Sequence, residues 1–406
     1  MTDSFDDIRC YRESDYAQAL GQVWNDPELL QLLRKIPFIP DAEGYRRLAM
    51  SFPSLQAYHY GFVAPLLKDI CQLSHSQISC SGLEHVRGHE PCLFLSNHRD
   101  IVMDTLQLNS LLFENQLKPC QTAIGDNLFG RPWIEPMVRL CKSFVVKRGL
   151  GVAQQLEASR ELSAYIRHTI CQTGDSIWMA QREGRAKDSN DLTQRSVLKM
   201  LILSGNSNVL EDLASLRVIP LSISYEYDPC DWLKAKEMQQ KRDVPGFKKA
   251  PADDLLSMLT GITGYKGRVH YHFDACISQD LLQMEARLPK NVLLQQVADR
   301  IDHSIHAHYQ LYANNYIAAD LLHGEQRFTE QYTADQAEQF QQYLCGQIDK
   351  IDLPQVQKDC GFLREKLLEM YANPLKNHLK ALHCYDTKES DSCPEPSGLD
   401  AGTGLL

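Results

Sequence analysis

From residue 91 onward, short strand-like runs alternate with longer stretches in which apolar positions recur every three or four residues. The short runs are Cys92–Leu95, Gln121–Ile124, Ser143–Val146, Ser176–Ala180, Val218–Ser224 and Val269–Phe273. Runs of this length and type read as buried strands. Between several of them, Ile101–Phe113, Trp133–Leu140, Val152–Cys171 and Thr193–Leu203 carry the spacing of helices. The alternation predicts an α/β fold with a mostly parallel, mixed sheet flanked by helices. Pro220 lies inside Val218–Ser224. It lacks a backbone N–H, which argues for an edge strand or a strand end there.

The flanks are helical extensions. Residues 1–74 predict an N-terminal helical region, with Asp15–Leu33 interrupted before Pro27 and a second helix at Leu55–Leu73. Pro37 and Pro40 break the chain between them, and Pro65 kinks the second helix or marks a start. The aromatic-rich second helix either packs on the main domain or touches lipid headgroups. The α/β domain is expected over 75–285. Within it, residues 231–266 are charged, broken by Pro245, Gly246 and Pro251, and read as an insertion with one short helix at Asp253–Leu259. Residues 286–385 predict a C-terminal helical region: Val292–Leu322, Thr333–Ile351 and Val356–Leu382, with a break at Pro354. Residues 386–406, rich in Ser, Gly, Pro and acid, predict a disordered tail.

Composition narrows the class. At 406 residues the chain is too long for one small core, and 43% apolar with 23% charged residues is ordinary for a globular protein. A net charge of −10 argues against nucleic acid as the partner, so an anionic ligand needs a local basic patch. The 13 cysteines are scattered, with no C-x-x-C pair and no zinc-type Cys/His ladder, which implies a reducing compartment and no structural metal. The acidic N-terminus reads as neither a signal nor a transit peptide. No apolar run reaches the roughly 18 residues of a membrane span, so a cytoplasmic location with peripheral lipid contact is expected.

The candidate chemistry sits where predicted strands end. Cys92–Leu95 runs into Ser96-Asn97-His98-Arg99-Asp100, then into a helix carrying Asp104. His98 is therefore at a strand-to-helix edge, where open α/β sheets bind ligands. Asp104 lies six residues on, about one and a half helical turns, and a wide turn brings its carboxylate back to the imidazole. Such a pair fixes the tautomer and leaves the second ring nitrogen to take a proton from a hydroxyl. Ser143–Val146 ends in Lys147-Arg148-Gly149. Period-2 geometry lets only one of the two cations face a shared site, and the Arg148 guanidinium fork suits a phosphate. Ser176–Ala180 opens into Arg182, Glu183, Gly184, Arg185 and Lys187, a local positive spot in which Gly184 lets backbone approach a ligand and Glu183 can accept from hydroxyls or orient Arg148. Asp126 and Asn127 are weaker candidates.

These motifs, in this order, resemble the four blocks of the glycerolipid acyltransferases, the glycerol-3-phosphate and 1-acylglycerol-3-phosphate O-acyltransferases. The carriers are Asn97-His98 followed by Asp104, the strand end at Arg148, Glu183-Gly184 and Ile219-Pro220. The resemblance implies His98 as general base, Asp104 as its partner, Arg148, Glu183 and Gly184 in acceptor binding, and Pro220 beside the acyl channel. Arg99, Arg185 and Lys187 join them as candidate substrate-binding residues. It implies acyl-CoA or acyl carrier protein as donor, a lysophospholipid or glycerol phosphate as acceptor, a peripheral membrane surface, and no cofactor. The chain departs from the family in having five residues rather than four between the His and the Asp. Arg182 replaces the usual Pro of the third block, Arg185 follows the Gly directly, and the second block lacks its leading Gly.

The chemistry is consistent without the family. An alcohol attacking an acyl thioester needs a base, and an imidazole serves near neutrality. N–H groups at the helix start are candidates to stabilise the oxyanion. No nucleophile elbow is present, so direct transfer is expected. The same His and Asp would also suit a thioesterase or phosphomonoesterase using water, and a non-catalytic lipid- or acyl-carrier-binding protein is the third reading.

Overall fold

The computed structural model describes residues 5–34, 39, 41–73, 77–88, 90–354 and 356–382. The tail predicted over 386–406 and the chain breaks at Pro37 and Pro40 lie outside them. Seven strands form one sheet: β1 Gln77–Ser81, β2 Leu93–Ser96, β3 Gln121–Gly125, β4 Ser143–Val146, β5 Ile177–Ala180, β6 Val218–Tyr225 and β7 Arg268–Phe273. Their order is β1-β7-β6-β2-β5-β3-β4. Strands β2 to β6 are mutually parallel, β7 runs antiparallel to β6, and β1 is parallel to β7. This is the mostly parallel, mixed sheet expected from the alternating pattern. β1 was not legible, because Gln-Ile-Ser-Cys-Ser is a half-exposed edge with no apolar run.

The helices are α1 Glu13–Trp24, α2 Pro27–Leu33, α3 Ala42–Met50, α4 Leu55–Tyr58, α5 Ala64–Leu73, α6 Met103–Glu114, α7 Ile134–Leu140, α8 Val152–His168 and α9 Arg195–Leu201. They continue with α10 Val209–Ala214, α11 Asp231–Asp243, α12 Pro251–Thr263, α13 Ser278–Gln283, α14 Lys290–Ala307, α15 Ala313–His323, α16 Ala334–Asp349 and α17 Cys360–Ala381. A π-helical turn, His59–Val63, joins α4 to α5, so the helix expected at 55–73 is continuous but underwound just before Pro65.

Side-chain parity builds two cores, one on each sheet face. Leu93, Leu95, Ile177, Met179 and Val218 pack against α8, α9, α10 and α14. Phe94, Trp178, Ile219, Leu221, Ile223 and Tyr271 pack against α6 through Leu108, Leu111 and Leu112. The N-terminal helices close a third cluster on α7, where Trp24, Tyr58 and Phe62 meet Trp133, Ile134 and Leu140. Tyr58 and Phe62 are thus core residues, although Tyr60 is exposed and its ring lies tilted against that of the exposed Phe113. The C-terminal helices α15 to α17 pack together and onto Ala235 of α11.

Three expectations are corrected. Pro220 lies in an interior strand, between β2 and β7. Its carbonyl accepts from Asp274 N–H at 3.0 Å, and the β7 ladder begins one residue later, at Leu221 opposite Phe273. The missing donor faces Asp274, just past the end of β7, so the proline costs only the return bond of that last pair and leaves the parallel pairing with β2 in place. The segment read as an insertion with one short helix holds two, α11 and α12. α11 has no apolar stripe because the residues it buries include Lys234, Glu237 and Gln239. The helix expected at 292–322 is broken into α14 and α15 without Gly or Pro; Gln310 N–H donates instead to Ser224 Oγ on β6 at 3.0 Å.

Candidate active site

The carboxyl ends of β2, β5, β3, β4 and β6 share one edge of the sheet, and the loops leaving them carry the candidate residues. β2 ends at Ser96, and Asn97 then takes over as a side-chain extension of the ladder. Its Nδ2 donates to Ile223 O at 2.8 Å, and its Oδ1 accepts Ile223 N–H at 2.8 Å. This fully buried double bond fixes the chain just before His98.

His98 Nδ1 lies 2.8 Å from Asp104 Oδ2. The same oxygen accepts the N–H groups of Arg99 at 2.7 Å and Asp100 at 3.0 Å. Asp104 is fully buried, and its other carboxylate oxygen has no hydrogen-bond partner among the described residues. Asp100 explains how five intervening residues are accommodated. Its Oδ1 accepts Val102 N–H and Met103 N–H, both at 2.9 Å, so the extra length closes as a capped turn at the start of α6. Burial, and then the neighbouring Asp104 charge, push the Asp100 carboxyl up from the usual range. Gly261 of α12 is needed against it, since a Cβ there would meet Asp100 Oδ2 at 2.1 Å. The two aspartates thus occupy the N–H groups of residues 99, 100, 102 and 103, and these four are not open to an oxyanion as the sequence had suggested.

A carboxylate facing Nδ1 places the ring proton there and leaves Nε2 as the acceptor. The ring is held from the side by Trp178 of β5, edge-on with centroids 5.4 Å apart, and Trp178 Nε1 is anchored on Ser96 Oγ at 2.9 Å. Trp178 looked like an ordinary core residue in the sequence, and only the pairing of β2 with β5 brings it here.

The remaining candidates separate into two groups. Arg148, leaving β4, has its N–H held by Asp126 Oδ1 at 3.0 Å, and its guanidinium pairs with the Glu183 carboxylate on the loop after β5. Lys147 turns the other way, to Glu161 of α8 at 3.1 Å. Gly184 has φ +66°, so a residue with a side chain would be strained there. Arg185 keeps a buried Nη1 with no hydrogen-bond partner among the described residues, at the same loop.

Arg99 and Lys187 are committed elsewhere. The Arg99 guanidinium is buried, bonded to Asp191 Oδ2 at 3.0 Å and Ser189 Oγ at 2.7 Å, so it braces the 183–191 loop against the residue next to His98. Lys234 of α11 caps the Arg99 carbonyl at 3.0 Å and pairs with Asp228. Lys187 pairs with Glu237 of α11 at 2.9 Å. Burial, followed by the Arg185 charge, brings the Lys187 ammonium down to about 8, whereas Lys187 and Lys241, working against burial, hold Glu237 at about 2. Asp191, Asp228 and Glu237 carried no signal in the sequence, and the fold buries them as partners of the site loop. A cavity of about 30 Å³, room for about one water, lies among Asn97, Arg99, Asp228 and Tyr309, and His98, Arg148 and Arg185 do not line it.

Residues 77–223 match the family model described as Acyltransferase. Among solved structures the chain is similar to the crystal structure of the 1-acyl-sn-glycerophosphate (LPA) acyltransferase, PlsC, from Thermotoga maritima. The identity is 12% and the TM-score 0.39, over 69% of this chain and 95% of that one. None of the curated proteins matches the chain.

Proposed function

From the chain's place in the acyltransferase family, carried by residues 77–223, we propose that it moves a fatty acyl group from an acyl thioester to the hydroxyl of a glycerol-phosphate acceptor, of the 1-acylglycerol-3-phosphate type. The donor is acyl-CoA or acyl carrier protein. The observation that carries the reading is the 2.8 Å contact of His98 Nδ1 with buried Asp104, which leaves Nε2 as a base.

In the reaction, Nε2 takes the proton of the acceptor hydroxyl as its oxygen attacks the thioester carbonyl. Asp104 stabilises the imidazolium that forms. The tetrahedral intermediate collapses with cleavage of the carbon–sulfur bond, and the thiolate takes the proton back from Nε2. The products are the ester and the free thiol. An imidazole is a suitable general base for such a step. Arg148, oriented by Glu183, and Arg185, with its buried Nη1, supply the positive charge for the acceptor phosphate.

Among the described residues no helix is long and apolar enough to cross a membrane. A peripheral position on the inner membrane face, with the protein otherwise cytoplasmic, suits a lipid acceptor. The chain just after Arg148 supports it: Leu150, Val152 and Leu156 are exposed large apolar residues, Val152 at 92%. They would set the phosphate-binding arginine beside the headgroup layer.

The test is purified full-length protein with acyl-CoA, with and without 1-acylglycerol-3-phosphate. The expected result is thiol release only when acceptor is present, with diacylglycerol phosphate as product. Thiol release at the same rate without acceptor would make the protein a hydrolase; no turnover of either kind would leave a binding protein.

A further inference from the structure

On the opposite face of the sheet from the His98 site, the end of β7 brings together three ligand-type side chains that acyl transfer does not use. His272 and Asp274 come from β7 and its exit, and His308 from the exit of α14. His272 alternates with Tyr271 and Phe273, which pack into the α6-side core, so it faces the α14 side. One donor atom from each of the three lies within 4.8 Å of the others.

The hydrogen bonds around the group fix which atoms remain available. His308 Nδ1 is 2.8 Å from the Ser304 carbonyl oxygen. A carbonyl only accepts, so Nδ1 carries the proton and Nε2 keeps its lone pair. His272 Nδ1 is 2.8 Å from Ser81 Oγ, and that hydroxyl is also 2.8 Å from His270 Nε2. Among the described residues, both imidazoles therefore have one nitrogen tied to the protein and the other left over, which is how ligand histidines are held. The Asp274 carboxylate accepts Ala275 N–H at 2.7 Å and pairs with the Ser304 hydroxyl. At 3.8 Å from His308 Nδ1 it is too far for a hydrogen bond to the ring. Nothing inside the group thus explains why a carboxylate and two imidazoles with spare nitrogens converge.

We propose that His272, Asp274 and His308 bind a first-row divalent transition metal of the zinc or nickel type, which ties the β1–β7 edge of the sheet to the corner between α14 and α15. Imidazole and carboxylate donors suit these ions better than magnesium or calcium. Three protein ligands leave a position for water. The rings are stacked, centroids 4.1 Å apart and 13° from parallel, so their lone pairs run side by side. Converging on one ion at about 2.0–2.1 Å requires one ring to rotate. The His308 side chain, 39% exposed, has the room to do so.

The experiment uses the full chain, stripped with a chelator and titrated with Co2+ and Ni2+. One equivalent of Co2+ is expected, without the near-ultraviolet band of a cobalt–thiolate bond, together with a rise in Tm that grows with metal concentration. His272→Ala and His308→Ala each abolish that equivalent, and Asp274→Asn weakens it at least tenfold. Absence of binding, a thiolate band, or an equivalent that survives His308→Ala overturns the proposal. If circular dichroism shows that His272→Ala does not fold, His308→Ala decides, because its side chain is the most open of the three.

Discussion

The two histidine–aspartate groups on this sheet use the same side chains to opposite ends. Asp104 is spent on His98: one oxygen holds the imidazole at 2.8 Å and also gathers two backbone N–H groups. That ring has its proton held at Nδ1, and Nε2 is left as the acceptor. Asp274 is spent on a serine and a backbone amide, and it stands 3.8 Å from the nearest imidazole nitrogen. Its histidines instead bond to the Ser81 hydroxyl, in the case of His272, and donate to the Ser304 carbonyl, in the case of His308. What a His and an Asp can do together is thus set by where the carboxylate places its lone pairs, not by their being neighbours.

Substitutions sharpen or break this contrast. The largest effect is expected from His98→Ala, which should cut acceptor-dependent thiol release toward the upper end of the roughly 10²–10⁴-fold contributed by general base catalysis. Unchanged turnover would remove the base from His98. Next is Arg99→Met, which leaves Asp191 buried without its cation. The protein should lose about 3–5 kcal/mol in urea denaturation, and a loss near zero would show that the brace is dispensable. Asp104→Asn should lower turnover toward the lower end of the same roughly 10²–10⁴-fold range. The amide cannot both orient the ring and neutralise its charge, so the fall should appear in kcat more than in KM.

Lys187→Gln tests the loop that walls the first site. With the ammonium at about 8 in the folded protein and 10.5 as its ordinary value, the unfolded chain binds the extra proton between those limits. Lys187 therefore opposes folding fully below about 8, and stability should rise with pH across that window. The substituted protein should lack this rise in Tm. The smallest effect is expected from His272→Ala, which should leave kcat and KM for acyl transfer unchanged while removing the metal equivalent. A fall in kcat to match His98→Ala would erase the division between the two groups.

Much of the His98–Asp104 pair was legible because it is local. His98 and Asp104 lie on one continuous strand–turn–helix segment, and the turn is closed by Asp100, also within it. The strands β2, β4, β5 and β6 were legible because burial on two faces leaves a short apolar run, and β7 because Val269, Tyr271 and Phe273 alternate with polar positions. β1, a half-exposed edge, left no such trace, and neither did α11, whose buried positions are charged. Arg99 and Lys187 read as ligands for an anion because nothing near them in the chain announces Asp191 or Glu237.

The sequence by itself therefore determined the alternating fold, the pairing of His98 with Asp104, and the exits on which Arg148, Glu183 and Arg185 stand. Periodicity and local hydrogen bonds are fixed over a few residues, and they survive translation into structure. Only the tertiary structure decided that Pro220 can sit in an interior strand, that Arg99 braces a loop, and that His272 and His308 meet across Asp274. These depend on which distant elements become neighbours. Parity says which face a side chain takes, but the strand order and the helix laid on that face say what it touches there.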